Sequence, residues 1–358
     1  LLSCGDREVI RVGVDASELR PGAVGGVPTA VRLLLSALRN HGRDVEAIAI
    51  APRPIVAPEG VPVRVTGGPA RPRAWRGSRA LRRATTDLDL FHSTVTAFPD
   101  LPGIPVTATV HELPFIVDYH YEGQRRALAQ WYWLSRALGR CAALVAPSQV
   151  TLRQMEEAHP AAGRVTSVVP HPAPPAPDHE QHGHDGSVLF VGRLDRRKCV
   201  DSLIRGAASC KGEIRLVGAH AARRRAEIER IASASGVQGR LKFHGVVDEK
   251  TLDGLYGRAQ VVVLASASEG FGFPVLEALA RSVPVIVSRD TGAAEVAGEA
   301  GLVVDPGQAD QIGAAVERSA EEEWRARVAR LGPARSMEFS AERAARGYAE
   351  VFRRALAR

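Results

Sequence analysis

Short apolar runs alternate with longer segments whose apolar positions recur at helical spacing, and this rhythm holds along nearly the whole chain. Such alternation is the mark of parallel sheets covered by helices on both faces. In the first half it predicts strands at Val9–Val14, Val45–Ile50, Leu88–His92, Pro105–Val110, Ala142–Ala146 and Arg164–Val168. Helices are expected there at Val27–Asn40, Ala74–Thr85, Tyr121–Arg140 and Gln149–Glu157. The second half repeats the pattern, with strands at Ser187–Val191, Glu213–Val217, Leu241–His244, Val261–Ala265, Val283–Val287 and Gly301–Val304. Between the halves, Val169 to Pro177 holds five prolines in nine residues, which neither a helix nor an interior strand tolerates. The expected organisation is therefore an N-terminal domain over residues 1–172, a linker over 173–186 and a C-terminal domain over 187–339. A last helix over 340–358 is expected to cross back onto the first domain. Ligands of doubly wound α/β sheets sit at the carboxyl ends of the strands, so two Rossmann-like domains should face a central cleft.

Composition narrows the partners only a little. The 358 residues are 45% apolar and 24% charged, which excludes a disordered chain, a collagen-like repeat and a disulfide-stapled miniprotein. No apolar run is long enough to predict a membrane-spanning helix. Of 47 basic residues only Lys198, Lys211, Lys242 and Lys250 are lysines, and a G+C-rich coding bias explains that preference for arginine. The net charge of +7 allows nucleic acid, anionic lipid or phosphorylated small molecules as partners. No RRM, KH or helix-turn-helix signature is present, so nucleic acid is not an expected partner. Cys4, Cys141, Cys199 and Cys210 form no Cys-x-x-Cys pair, which fits a reducing compartment. Leu1-Leu2-Ser3-Cys4 looks like the end of a lipoprotein signal, without the charged and apolar regions that would precede one. The chain is read as cytoplasmic.

The informative chemistry lies in Val261 to Ala280, which reads strand, tight loop, helix. Gly270 and Gly272 allow a sharp turn and a close backbone approach to a ligand. Pro274 suits the first helical position, and the amides of that first turn form an anion site suited to phosphate. Glu277 is expected in the first turn and Glu269 in the loop before it. Carboxylates accept hydrogen bonds but donate none, which matches the hydroxyls of a ribose or hexose. A phosphate on helix amides with hydroxyls on two acids reads as a nucleotide sugar; an ordinary strand-to-helix connection is the plainer alternative. The run from Gly192 through Arg193 to Arg196-Arg197-Lys198 follows the first strand of the second domain and offers cations for a diphosphate, or a solvated charge run. In the first domain Gly25 and Gly26 open a helix, and His111 ends a strand.

Other features carry less. His179, His182 and His184 beside Asp178 and Asp185 could hold a metal, but suit a solvated connector better. Asp87-Leu88-Asp89 matches an Asp-x-Asp metal pattern, yet reads more simply as the start of a strand. No metal site is assigned. Arg71, Arg73, Arg76, Arg79, Arg82 and Arg83 crowd one segment, and a helix from Ala74 would align Arg76, Arg79 and Arg83. That face would suit an anionic membrane surface, at the inner leaflet, or a phosphorylated acceptor; a solvated face is the simpler account. Gln130-Trp131-Tyr132-Trp133 could stack on a sugar or pack in the core, and packing is the simpler expectation.

Together these features resemble the family 4 glycosyltransferases, retaining enzymes of the two-domain GT-B architecture, and mannosyltransferase-like members in particular. The densest match is the Glu-x7-Glu motif, Glu269 to Glu277, continued by Ser288-Arg289-Asp290, Glu295-Val296 and Gly301 to Pro306. The resemblance implies that Glu277 binds the donor ribose and Glu269 the transferred sugar. The amides of Gly270, Phe271 and Gly272 would line that sugar, with Phe273, Pro274, Val275 and Leu276 presenting the helix start to the phosphates. It further implies that Arg193 and Lys198 grip the diphosphate, that His111 is the family's cleft histidine and that Gly25-Gly26 is its glycine loop. Val246 and Val247 would border the nucleobase. Three departures stand out. The usual Pro-Asn-Gly is Pro170-His171-Pro172, Arg193 and Lys198 are five apart where some members show six, and His111 precedes Glu112 rather than Asp. The six-residue spacing leaves Arg196 or Arg197 as substitutes. The implied reaction moves a hexose from a nucleoside-diphosphate sugar, GDP-mannose or a UDP-hexose, to a glycan, lipid-linked or natural-product acceptor, with no cofactor and no metal. The alternative is a non-catalytic sugar-nucleotide-binding subunit of the same fold.

Overall fold

In the computed structural model the described residues are 9–69, 72–113, 124–175 and 183–357. The chain divides into two compact units. The first runs to Pro172 and takes up the chain again from Phe339; the second comprises Ala173–Glu338.

Among the described residues the first unit holds β1 (Ile10–Asp15), α1 (Gly26–His41), β2 (Val45–Ala51), β3 (Val63–Val65), α2 (Pro72–Arg76) and α3 (Arg79–Ala84). β4 (Leu90–Ser93), β5 (Val106–Thr109), α4 (Gln124–Arg140), β6 (Ala143–Ala146), α5 (Gln149–Ala158) and β7 (Thr166–Val168) follow. Its strands form one parallel sheet in the order β3-β2-β1-β4-β5-β6-β7. Strands covered on both faces are buried almost throughout, as β1, β4, β5 and β6 are, although β4 and β5 bury the polar His92, Ser93, Thr107 and Thr109. The second unit holds β8 (Ser187–Val191), α6 (Val200–Gly206), β9 (Ile214–Val217), α7 (Ala222–Ala234), β10 (Leu241–Gly245), α8 (Glu249–Arg258) and β11 (Ala259–Leu264). It continues with α9 (Phe273–Ala280), β12 (Val285–Ser288), α10 (Gly292–Ala297), β13 (Gly301–Val304), α11 (Ala309–Ser319) and α12 (Glu322–Met337). Its parallel sheet runs β10-β9-β8-β11-β12-β13. The last helix, α13 (Ala341–Leu356), belongs to the first unit. Its Ala345, Tyr348, Val351, Phe352 and Ala355 line one stripe and join the core formed with α1, β1 and β2.

The fold departs from the sequence expectations in three places. The strand β3 has no counterpart among them, because a three-residue edge strand with two exposed positions carries no hydrophobic pattern. The helix expected over Ala74–Thr85 is two short helices, broken where Gly77 gives way to Ser78, whose hydroxyl caps α3 by accepting from Leu81 N–H. The aromatic run on α4 does not all pack inward: Trp131 and Tyr132 are half exposed, while Trp133 meets Phe98 edge-on at 6.4 Å. Residues 121–123, where that helix was expected to begin, lie outside the described residues. Among the described residues no helix is long and apolar enough to cross a membrane.

Candidate functional site

Both sheets reverse their strand order at one place, between β1 and β4 and between β8 and β11. At such a switch point the loops leaving adjacent strands diverge and open a crevice at the carboxyl edge. The candidate residues gather at these two edges, each within its own unit.

In the second unit the chain leaves β8 through Gly192 and Arg193 and closes a 3-10 turn at Arg196–Lys198. The loop leaving β11 runs beside it. Ala267 N–H donates to Arg197 O (2.8 Å), and Arg197 Nη1 donates to Ser268 O (3.0 Å). One residue further on, Lys198 Nζ donates to Oε2 of Glu269. Both side chains are largely buried, and Ser266 Oγ lies 3.5 Å from the same carboxylate oxygen. Lys198 can reach inward because Cys199 turns the chain sharply in the left-handed region, at φ 50°, into α6. Arg196 and Arg197, the substitutes left open by the spacing, are otherwise engaged: Arg196 pairs with Glu227 at 2.9 Å and Arg197 holds the neighbouring loop. Arg193 is exposed and bridges to Asp195 at 3.3 Å.

Gly272 caps α9 at φ 100°, a conformation that favours glycine. Gly292, the first residue of α10, clasps the loop from the other side: its N–H donates to Glu269 O (2.6 Å), and a Cβ there would sit 2.1 Å from Gly270 O. Any side chain at 292 would push the loop away from the helix. Pro274 falls at the second helical position, and Val275 N–H already closes a turn onto Gly272 O (3.0 Å), so not every amide of the expected anion site points outward. Because the helix begins at Phe273, Glu277 lies on its second turn, not its first. There Tyr256, fully buried on α8, donates its hydroxyl to Oε2 of Glu277. Burial holds the Glu277 carboxyl above its usual range, opposed by the Tyr256 hydrogen bond and the Arg281 charge. Burial and the neighbouring carboxylate push the Tyr256 phenol well up. Val246, past the end of β10, is more than half exposed, and Val247 is half-buried.

In the first unit Asp15 ends β1, wholly buried, and receives Arg76 Nε on Oδ2 at 2.8 Å. Arg76 Nη2 reaches Ser17 Oγ (3.3 Å), Ser17 N–H donates to Asp15 Oδ1 (3.0 Å) and Thr94 Oγ1 donates to Asp15 O (2.8 Å). Arg76 is therefore not on a solvated or membrane-facing helix side, as the periodicity had suggested; it is the buried partner of a strand-end acid. Arg71 lies outside the described residues. His111 Nε2 donates to Thr94 O (2.8 Å), which makes Nδ1 the acceptor for His171 Nε2 at 3.2 Å. His171 is the residue that stands where the family resemblance expects asparagine, and the fold sets it against His111. Burial keeps both imidazoles below their usual range, opposed at His111 by its bond to the Thr94 carbonyl, and the His111 charge lowers His171 further. Gly25, at φ 123°, and Gly26 stand exposed at the start of α1.

Neither metal pattern forms a site among the described residues, where no group of three or more His, Cys, Asp or Glu side chains is placed to hold an ion. Asp87 instead binds Arg64 and Arg11, and Asp89 accepts from Arg11 N–H (2.7 Å). Arg64 draws the Asp87 carboxyl down to about 2. His179 and His182 lie outside the described residues, and His184 Nδ1 accepts from Gly186 N–H (3.3 Å).

Two family profiles cover most of the sequence: "Glycosyltransferase Family 4" matches residues 24–176 and "Glycosyl transferases group 1" matches 177–334. The chain belongs to glycosyltransferase family 4. One relative of this family 4 chain is the O-antigen chain mannosyltransferase B of Escherichia coli, 31% identical over 163 residues. That match covers 44% of the chain and 43% of the relative, so the chain spans about two fifths of the relative's length. Among solved structures, the sucrose-phosphate synthase of Thermosynechococcus elongatus superposes with a TM-score of 0.76 at 22% identity. It covers 97% of this chain and 99% of its own. The Anabaena protein HepE, solved with UDP and glucose, gives 0.73 at 16% identity, covering 96% and 99%. At these identities the superpositions establish the GT-B fold of the family 4 chain.

The structure joins Lys198 to Glu269 as the motif spacing alone could not show, and leaves Arg193 exposed beside Asp195. It also brings in Tyr256, His171 and the Asp15–Arg76 pair, which sequence patterns missed. Each is separated from its partner by a strand-to-strand crossover, and only His171 had a signal, its departure from Pro-Asn-Gly.

Proposed function

We propose that this chain is a retaining glycosyltransferase that moves a hexose from a nucleoside-diphosphate sugar to a hydroxyl of a glycan, lipid-linked or natural-product acceptor. The observation that carries this reading is the pairing of Lys198 with Glu269 on the loop that leads through Gly272 into α9. Lysine has three donors, so Lys198 can keep Glu269 and still offer an N–H to a diphosphate oxygen. In the reaction the bond between the sugar's anomeric carbon and the β-phosphate oxygen breaks, and its electron pair passes to the diphosphate. The acceptor oxygen bonds to the anomeric carbon on the same face and gives its proton to the departing diphosphate. Lys198, with Arg193 drawn off Asp195, stabilises the charge that develops there, in place of a metal ion. Glu269 accepts from hydroxyls of the transferred hexose, and Glu277 from those of the ribose. A mannosyl donor is favoured by the mannosyltransferase relative, and a UDP-hexose by the UDP and glucose in the HepE structure.

The reading is tested by melting the protein with UDP, GDP, ADP and TDP in turn. One of them should stabilise it, by about 2.7 kcal/mol at a concentration 100 times its dissociation constant. Equal melting temperatures with all four would overturn the reading. A panel of sugar nucleotides, read by release of the diphosphate, then identifies the donor.

A further inference from the structure

We propose that Tyr256 is a positioning residue for the donor's ribose: by holding Oε2 of Glu277 it presents Oε1 to the ribose hydroxyls, and so makes the site prefer ribonucleotides to 2′-deoxyribonucleotides. This rests on the donor-site reading above. Tyr256 lies on α8, 1% exposed, and its hydroxyl has one proton to give. That proton goes to Oε2 of Glu277. Turning the carboxylate away would strand a buried phenol, so the bond fixes the side chain's rotamer as well as its charge. The ring is held in turn. Arg281 lies over it at 5.2 Å, donates through Nη1 to Glu277 O (2.7 Å) and through Nε and Nη2 to Asp253 Oδ1 (2.8 and 2.6 Å). Helices α8 and α9 are thus tied at Glu277, with Oε2 held by the phenol.

The groups that act on Glu277 are Tyr256 on α8 and Arg281 at the end of α9 itself, with Asp253 on α8 bound to Arg281. The same and neighbouring helices also carry Glu249, Lys250 and Arg258 (α8), Glu295 (α10) and Glu322, Glu323, Arg325, Arg327, Arg330 and Arg335 (α12). Arg335 donates to Val296 O, Glu295 O and Glu338. The Tyr256 hydroxyl is therefore the neighbour that acts on the Glu277 carboxylate oxygen directly. Burial favours the protonated carboxyl and the phenol opposes it. Without the phenol hydroxyl, Glu277 keeps its proton to higher pH, and a protonated carboxyl is a poorer acceptor.

The test is calorimetric titration of wild type, Tyr256→Phe, Glu277→Ala and the double variant with UDP and GDP and with their 2′-deoxy counterparts. Tyr256→Phe should weaken the ribonucleotide that wild type binds by about tenfold and its deoxy form much less. On the Glu277→Ala background it should add nothing. The acid limb of binding should move to higher pH relative to wild type; the nucleotide's own phosphate ionisation cancels in that comparison. Wild-type binding by Tyr256→Phe at every pH, equal losses for both sugars, or a further loss on the Glu277→Ala background would each overturn the proposal. If Glu277→Ala binds like wild type, or if wild type binds neither UDP nor GDP and is stabilised by neither ADP nor TDP, the donor-site reading falls and this inference with it. If Glu277→Ala loses binding and Tyr256→Phe does not, this inference alone falls. Should Tyr256→Phe not fold, Glu277→Asp draws the carboxylate back from the phenol. It should show the same ribose-selective loss, and an equal loss for both sugars would overturn the proposal.

Discussion

At the carboxyl edge of β1 and β4, the first unit ties Asp15, Arg76, Ser17 and Thr94 into a network whose two charges sit inside the protein. At the matching edge of β8 and β11, the second unit sets Lys198 against Glu269, with Arg193 exposed nearby in sequence. The topology is the same and the cation differs. An arginine fork bound through Nε and Nη2 is a fastener; it fixes two loops in one geometry. A lysine with donors to spare is a cation that a ligand can share. The rest of the molecule follows the first pattern. Arg11, Arg64, Arg196, Arg215, Arg224 and Arg281 all bind acids of other elements or loops. Part of the arginine-rich composition thus ties elements together, and one of the four lysines stands at the candidate site.

This contrast can be broken from either side. Arg76→Ala should cost the most stability, about 3–5 kcal/mol, because it leaves Asp15 buried and unpaired. Chemical denaturation checks it, and a loss below 1 kcal/mol would mean that the pair fastens nothing. Lys198→Ala should act chiefly on turnover, lowering it by about 10²–10³-fold, the range for removing one preorganised donor to developing charge. Its stability cost should be smaller, because Glu269 keeps some solvent exposure. Donor turnover and denaturation measured on the same sample separate the two effects; a variant that loses stability like Arg76→Ala and keeps its turnover would reverse the assignment.

A last effect, which needs no substitution, is one of pH. His92 is wholly buried, bonded to Thr107 Oγ1 (2.9 Å) and Thr109 Oγ1 (3.1 Å), and burial brings its imidazole down to about 3. Between that value and about 6.5, the unfolded chain binds a proton that the folded chain refuses. Stability should therefore be unaffected by this group above pH 6.5 and fall by about 1.4 kcal/mol per pH unit as the pH drops below it. His111 and His171, shifted the same way, steepen the fall. Urea melts at pH 7.5 and 5.5 measure the slope, and a flat profile would contradict the burial of these rings.

What could be read beforehand was local. The Glu269–Glu277 segment, with Gly270, Gly272 and Pro274, announces its turn and helix within a few residues, and the two-domain rhythm needs only periodicity. What could not be read depends on which strands become neighbours. Arg76 lies 61 residues from Asp15, and Tyr256 lies 21 from Glu277 on a different helix. Helical spacing put Arg76 with Arg79 and Arg83, although Gly77-Ser78 joins a residue that favours helix ends to a residue that favours N-caps, and here ends one helix and caps the next. The second-turn position of Glu277 was lost more narrowly, by one residue in where α9 begins.

The return of α13 to the first unit has a consequence for synthesis. Tyr348, Phe352 and their neighbours complete a core whose other members lie before Pro172, whereas Ala173–Glu338 is one unbroken stretch. On a ribosome adding about 5–20 residues per second, the earlier-made part waits roughly 10–40 s for its last helix. The later-made unit has all its strands in hand first. A chaperone acting on the nascent chain would therefore find its longest-lived apolar surface on α1 and the adjoining strands, the part of the chain made earliest.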